Sequence, residues 1–331
     1  MKLLIYEYFS SGAPGHSGIS EDGFMMLGAL LSDFSLLPGL EIVTVIRPDL
    51  WARISPKIRA ENLQPCLKGG AERSFLAALE ACECALIVAP ETAGTLARLT
   101  KLAEDRGKAV IGSSSAGVSL AGNKAASLAL LEANGLPIPK WKHLVSSAFP
   151  EDFAQPFVVK PVEGAGGEGV RVIGTREQWA TWKADASHTH EDFLAQEQVP
   201  GEAASVSCLV GDSVAAPICL NRQHIGPGEQ PEFLGITAPY RHKWATQTMD
   251  IAQRVCELIP GLRGFVGVDF ILGPGGPLVL EVNPRLTFAY LALREVAAQN
   301  IAGELLAICL EGSVPRRPQV SGSHTCLAKR K

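Results

Sequence analysis

No apolar run in this chain of 331 residues reaches membrane-spanning length, and a net charge of −4 leaves no basic field, so composition excludes a spanning protein and a polyanion binder. Aromatic residues make up only 6%, too few for a row of stacking platforms, and no nucleic-acid partner is expected. The eight cysteines, at 66, 82, 84, 208, 219, 256, 309 and 326, form no CxxC pair and no zinc-like spacing. Cys208, Cys219, Cys256 and Cys309 fall in apolar patterns, where a free thiol packs as a small hydrophobe, and a reducing cytoplasm is the simplest compartment. His188 and His190 alternate in a polar stretch and read as a solvated loop. GxGxxG is missing, which excludes that mode of dinucleotide binding, and so is the P-loop GxxxxGK[ST]. No Ser–His or Cys–His arrangement suggests a covalent nucleophile. The opening MKLLIYEYFSSG carries one lysine and an apolar run broken by Glu7, so it reads as a first strand rather than a signal peptide.

Against these absences stand 47% hydrophobic and 19% charged residues, enough to build two or three lobes with substantial cores. The richest stretch is 264–285, GFVGVDFILGPGGPLVLEVNPR. Two runs of β-branched and large apolar residues flank Gly273-Pro274-Gly275-Gly276-Pro277, the turn chemistry of a hairpin. A turn centred on Gly275 sets Asp269 opposite Glu281 across the ladder, with Asn283 on the same face. Facing carboxylates repel unless a cation lies between them. Two acids and an amide oxygen form a hard donor set that suits Mg²⁺ or Mn²⁺, and Mg²⁺ usually brings phosphates. On the hairpin alone, two ordinary acids flanking a turn explain the pattern equally well.

Residues 1–113 alternate strand-like runs (2–8, 41–46, 84–89, 109–111) with helical ones (24–34, 71–81, 92–106). This predicts a small parallel sheet covered by helices, with ligands beyond the carboxyl ends of its strands. The Gly- and Ser-rich loop 9–20 holds Ser11 and Gly12 as substrate-loop candidates, and a plain surface loop is an equal reading. Residues 114–139 read as a connection in which Asn123 caps a helix over 124–133 that ends at Asn134-Gly135. Lys124 in its first turn opposes the helix dipole, either solvated or reaching for an anion. The apolar strand 157–161, FVVKP, contains Lys160 and precedes a loop with Gly164, Gly166, Gly167 and Gly169 and a strand over 170–173. Such a hairpin tip either lies over phosphates or is merely flexible. Beyond a helix at 175–186, the stretch 193–202, FLAQEQVPGE, reads as an edge strand, and 203–210 and 213–222 as strands joined at Gly211-Asp212. Residues 226–235 read as a loop, 246–258, 287–299 and 301–311 as helices, and the polar, basic stretch from 312 as a frayed tail.

As an ordered set, NKAASLALLEANGLPIP, FVVKP, EGAGGEGV, LAQEQVPGE, GVDF and LEVNPR resemble the ATP-grasp superfamily of carboxylate–amine ligases. The resemblance covers about residues 114–311, and residues 1–113 resemble the α/β domain that precedes it there. It implies an α/β protein with α+β ligase lobes. A Rossmann-like pre-ATP-grasp domain (1–113) would precede a two-lobed ATP-grasp domain (114–315), with a small lobe at about 140–198, a large lobe at about 199–315 and a flexible tail at 316–331. By the same resemblance, Lys124 and Lys160 hold the phosphates of ATP, and the loop from Gly164 to Gly169 closes over them. Gln196, Glu197 and Val199 meet the adenine edge, and Glu202 meets the ribose hydroxyls. Asp269, Glu281 and Asn283 bind the magnesium ion, and Arg285 lies near the transferred phosphoryl group.

The implied chemistry is attack of a substrate carboxylate on the γ-phosphate of ATP, followed by displacement of phosphate from the acyl phosphate by an amine. Lys160 and Arg285 are then the catalytic cations. Arg222 and Arg241 are candidates to hold a substrate carboxylate, with a structural ion pair an equal reading. Gly267 stands where the D-alanine–D-alanine ligase branch carries an arginine, which argues against dipeptide ligation of that type. YEYFSSG and the later NRQ resemble the branch that joins glutamate to tyramine in methanofuran-type cofactor synthesis. The expected partners are a small carboxylate and a small amine (glutamate with tyramine or tyrosine), and a second copy of the chain in a homodimer. Two alternatives stand beside this. A bicarbonate-using carboxylase or carbamoyl-phosphate-type enzyme is disfavoured by the lack of length for transferase or carrier domains, and a non-catalytic ATP-binding regulator by the full ligand and lysine set.

Overall fold

The structure is a computed structural model that describes all residues except 14–16, 55–62, 66–69, 145–148, 185–191 and 330–331. The expectations for Cys66, His188 and His190 therefore lie outside the described residues. In the N-terminal part, β1 (Lys2–Glu7), β2 (Glu41–Ile46), β3 (Leu63–Pro65), β4 (Cys84–Val88) and β5 (Ala109–Val110) form a parallel sheet in the order β3-β2-β1-β4-β5. Helices α1 (Ser17–Phe34), α2 (Ala71–Glu80) and α3 (Thr95–Glu104) run between the strands. Because successive side chains of a strand point to opposite faces, β1 contributes to two cores. Leu4 and Tyr6 pack with Phe75, Leu79 and Leu99, whereas Leu3 and Ile5 pack with Leu27 and Leu30 of α1. That second core continues into Phe265, Tyr290 and Leu305 of the C-terminal half, so the two halves share apolar packing.

Helices α4 (Ser115–Gly122) and α5 (Lys124–Ala133) follow. Ser114 and Asn123 cap them, each accepting a hydrogen bond from the backbone N–H three residues on. Only the second helix was expected. A four-stranded antiparallel sheet comes next, with β6 (Trp141–His143), β7 (Phe157–Pro161), β8 (Arg171–Ile173) and β9 (Phe193–Glu197) in the order β6-β9-β7-β8. Helix α6 (Arg176–Ala184) covers it through Trp179 and Trp182, which pack with Phe157 and Phe193. The segment expected as an edge strand is interior, because Gln196 pairs with Trp141 on one side and Val158 on the other.

The largest sheet holds β10 (Glu202–Val210), β11 (Ala215–Ile225), β12 (Phe233–Ala238), β13 (Gly264–Gly273), β14 (Gly276–Asn283) and β15 (His324–Leu327). It is antiparallel in the order β14-β13-β10-β11-β12-β15 and packs beneath α7 (Ala245–Leu258). Three expectations are corrected here. Part of the stretch read as loop 226–235 belongs to β12. The helix expected over 287–299 shortens to α8 (Ala289–Leu293), ahead of α9 (Ile301–Glu311), since the Ala298 N–H is taken by Gln319 O at 2.8 Å and Ala297 bridges to Val320. The expected flexible tail instead supplies β15, which pairs along β12 from Gly235 to Ala238. An edge strand bonds through its backbone whatever its side chains, so a polar segment can close a sheet. Among the described residues no helix is long and apolar enough to cross a membrane.

Candidate active site

A cleft of about 1480 Å³ opens between the carboxyl ends of β1 and β4, the β7–β8 hairpin and the face of the large sheet. That exceeds the usual space for one small ligand. Its floor is the β13–β14 hairpin. The strands pair Gly273 with Gly276 and Leu272 with Pro277, so the turn is the two residues Pro274-Gly275. Continued in that register, Asp269 would face Leu280. A bulge after the Phe270–Val279 pair leaves Leu280 unpaired and brings Asp269 opposite Glu281, with Asn283 opposite Gly267. The two acids face each other as expected, but the bulge, not the turn centre, puts them there.

The bulge also turns the Leu280 carbonyl toward Lys160, whose Nζ donates to it at 3.1 Å. Lys160 stands on buried β7, and burial pulls its pKa down to about 8 against the opposing pull of Glu281, while Lys124 adds to the lowering. Lys124 donates to Gly164 O at 2.8 Å and lies 3.7 Å from Glu281 Oε2, so the lysine set against its helix dipole has found an anion within the fold. The acids are not equivalent. Desolvation, then the nearby Glu281 charge, pushes the Asp269 carboxyl up to about 7, although Gln223 Nε2 and Asn283 Nδ2 donate to it at 3.1 and 3.2 Å. Desolvation would raise Glu281 too, but Lys124, Lys160 and Arg285 together hold it below its ordinary value.

The glycine loop bends above this floor with Gly166, Gly167 and Gly169 at φ of 65°, 77° and 72°. A methyl group on Gly169 would sit 2.7 Å from Pro161 Cγ in a left-handed conformation that side chains avoid. Gly169→Ala is therefore expected to displace the loop tip, raising KM for ATP about tenfold while Tm stays within about 2 °C. An unchanged KM would mean that the tip does not meet the nucleotide. Lining the cleft at the end of β9 are Gln196, Glu197 and Val199. Gln196 is 3% exposed, and among the described residues its amide nitrogen has no hydrogen-bond partner. Glu202 accepts from Tyr240 Oη at 2.8 Å and lies 3.4 Å from Arg222 Nη2.

The substrate candidates divide. Arg222 lines the cleft, paired with Glu202 and stacked over the Tyr240 ring. Arg241 is exposed and is not among the lining residues. Ser11 and Gly12 do not line the cleft either. The Ser11 hydroxyl is buried 2.7 Å from Tyr8 O and 2.8 Å from the Tyr6 hydroxyl, and Gly12 closes the turn to Phe9 O at φ 97°. Glu7, Tyr8 and Phe9 of the same segment face the cleft instead. Sequence reasoning missed Glu91, which receives Arg285 Nε at 2.9 Å and Nη2 at 3.0 Å from 194 residues away, and Gln223, whose only signal was its place in NRQ.

Among the described residues no three His, Cys, Asp or Glu side chains form a metal cage. The hairpin offers two acids and an amide, a set that leaves positions open for phosphate oxygens and so suits Mg²⁺ delivered with a nucleotide.

The ATP-grasp domain model matches residues 121–289, and the pre ATP-grasp 3 domain model matches residues 40–118. Tyramine–L-glutamate ligase of Methanocaldococcus jannaschii is 30% identical over 321 residues, covering 94% of this chain and 92% of the relative. D-Alanine–D-alanine ligase of Oleidesulfovibrio alaskensis is 30% identical over 217 residues, covering 61% of this chain and 69% of the relative. The fold superposes on a solved ATP-grasp superfamily structure from Archaeoglobus fulgidus with a TM-score of 0.72, covering 100% of both chains at 21% identity. Motif order, sheet topology and a likeness that runs nearly end to end agree, and the chain belongs to the ATP-grasp family of ATP-dependent carboxylate–amine ligases.

Proposed function

We propose that this ligase phosphorylates the γ-carboxylate of glutamate and joins it to the amine of tyramine, with tyrosine as the alternative amine. The observation that carries the phosphoryl chemistry is the bulge-set pair Asp269 and Glu281, ringed by Lys124, Lys160 and Arg285. The choice of substrates is supported by the end-to-end similarity to a tyramine–L-glutamate ligase. It is also supported by the cleft walls: Tyr8, Phe9, Met26, Phe233 and Phe288 offer apolar surface for an aromatic body.

In this reading Asp269, Glu281 and Asn283 would hold Mg²⁺ or Mn²⁺, which when bound neutralises phosphate oxygens and polarises the γ-phosphorus. Lys124 and Lys160 bind the phosphates of ATP, with the glycine loop folded over them to keep water from the acyl phosphate. The Gln196 amide, with Glu197 and Val199, meets the adenine edge, and Glu202 accepts from the ribose. One glutamate carboxylate oxygen forms the new bond to the γ-phosphorus as the bond to ADP breaks. Arg285 offsets the charge that gathers as two anions approach. The amine nitrogen then attacks the acyl carbon, phosphate leaves, and the nitrogen gives up a proton. The domain limits expected from the sequence, near 113 and 315, are part of the same proposal, as is a dimer of the chain.

Purified protein with Mg²⁺-ATP, glutamate and tyramine is expected to release ADP and form γ-glutamyltyramine in equal amounts. Hydroxylamine in place of tyramine is expected to trap the acyl phosphate as a hydroxamate. ADP release that follows bicarbonate and needs no amine would overturn the ligase assignment, whereas an amide formed from another amine would overturn only the choice of tyramine.

A further inference from the structure

Arg285, one of the cations around the acid pair, is gripped from the turn that follows β4 of the N-terminal sheet. The guanidinium is held side-on, Nε to Glu91 Oε1 at 2.9 Å and Nη2 to Oε2 at 3.0 Å, with the two side chains only 13% and 5% exposed. Nη1 donates to the Leu286 carbonyl at 3.1 Å. An arginine has five N–H donors, so among the described residues these contacts occupy three and leave two for the cleft that Arg285 lines.

Several features keep Glu91 in this pose. It begins the turn after β4, where Gly94 N–H returns to Glu91 O at 3.0 Å and Leu96 N–H to Pro90 O at 3.0 Å. Ala93 and Gly94 complete that turn in left-handed conformations. The side chain then crosses the end of α4 at Gly122, where a Cβ would approach Glu91 Cγ to 3.1 Å and Cβ to 3.3 Å. A side chain at 122 would press on Glu91, which would have to give by a few tenths of an ångström. Asn123 and Lys124 follow directly, so the helix junction that admits Glu91 also sets the lysine 3.7 Å from Glu281. The glutamate is itself too buried to meet a ligand freely, at 6% exposure, and both its oxygens are engaged by the arginine.

We infer that Glu91 is a positioning residue for phosphoryl transfer: it fixes the Arg285 guanidinium edge-on, so that the two unspent N–H groups point at the reacting oxygens. A planar fork held at two atoms has one orientation, whereas an arginine held only by its backbone samples several, and loss of that orientation is felt in the transition state more than in binding. The inference rests on the role given to Arg285 under the proposed function. It also ties catalysis to the packing of the N-terminal sheet against the large one, because Glu91 follows β4 of the first and Arg285 follows β14 of the second.

The test compares wild type, Glu91→Gln, Arg285→Lys and the double variant by ADP release with Mg²⁺-ATP, glutamate and tyramine. Glu91→Gln is expected to lower kcat roughly 10- to 100-fold while KM for ATP changes less than about threefold. A lysine cannot be gripped at two atoms, so in the Arg285→Lys background the same change is expected to cost less than about threefold. A Glu91→Gln variant with kcat within twofold of wild type, or an equal loss in both backgrounds, would overturn the inference. Arg285→Lys within twofold of wild type would instead overturn the role assigned to Arg285. If Glu91→Gln does not fold, Glu91→Asp keeps the charge, falls one methylene short, and is judged by the same two outcomes.

Discussion

Asp269→Asn is expected to make the ligand-free protein more stable at pH 8 while removing turnover. The folded protein holds the Asp269 proton to about pH 7, while an unfolded chain releases it near 4. A carboxyl whose pKa is raised by folding contributes stability that is complete below its unfolded value and is lost as pH rises through the folded one. Asparagine never ionises, so it escapes that loss. Allowing for solvent in an open cleft, the gain at pH 8 is on the order of 1–2 kcal/mol, or about 2–6 °C in Tm. At pH 5 only about a third of that difference is expected, because the loss begins just above the unfolded value near 4. Neither Gln223 nor Asn283 is left unpaired, since an amide at 269 keeps one acceptor and Asn283 can turn to offer its own oxygen. Turnover is expected to fall by at least about 10²–10³-fold, because the change removes half the anionic charge of the proposed cation site. Thermal melts at pH 5 and 8 beside an ADP-release assay decide it. An equal Tm shift at both pH values would show that the Asp269 charge carries no cost in the free protein.

Glu281→Gln removes the other acid, and the two are expected to differ in the sign of their effect on stability. Glu281 answers three cations, Lys124 at 3.7 Å together with Lys160 and Arg285. Without it Lys160, already pulled down to about 8 by burial, loses the charge that most favours its protonated form. The variant should lose turnover about 10³-fold or more and weaken ATP binding, since a less protonated Lys160 meets the phosphates with less charge. Because glutamine matches the size of glutamate and the acid faces a half-open cleft, Tm at pH 8 is expected to fall by no more than about 5 °C. Raising Mg²⁺ should not restore turnover. Loss of the folded state in the absence of ligand would show that Glu281 serves the core, and the cation site would have to be sought elsewhere.

Together the two variants separate a residue whose charge costs the ligand-free fold stability from one that is already neutralised. An unanswered acid of this kind is an ordinary signature of a functional site, where local stability is given up for binding. Metal affinity is expected to decline below about pH 7 for the same reason, since Asp269 must lose its proton to become a ligand.

Much of this protein was legible in single stretches of chain. Alternation of apolar strands and amphipathic helices in the first 113 residues announced a parallel sheet, and Pro274-Gly275 announced the hairpin. Asn123, a good N-cap, marked the start of the helix that carries Lys124. These features follow from forces between near neighbours: side-chain period, turn sterics and capping act over a few residues, so a few residues suffice to read them.

What lay beyond the sequence depended on partners far along the chain. Glu91 and Arg285 meet across 194 positions, and no local pattern marks either as the other's partner. The acids face each other only because Leu280 bulges, which frees its carbonyl for Lys160. Ser11 and Gly12 read equally as a substrate loop or a plain surface loop, and a buried hydroxyl network holds the serine and leaves Glu7 and Tyr8 at the cleft. The polar C-terminal stretch read as frayed, and an open edge at β12 made it a strand. By itself the sequence determined which residue types were available and which short elements they would form. Tertiary packing decided which of those charges were desolvated and which found a counter-charge, because pairing energy and its dielectric depend on where distant segments come to rest.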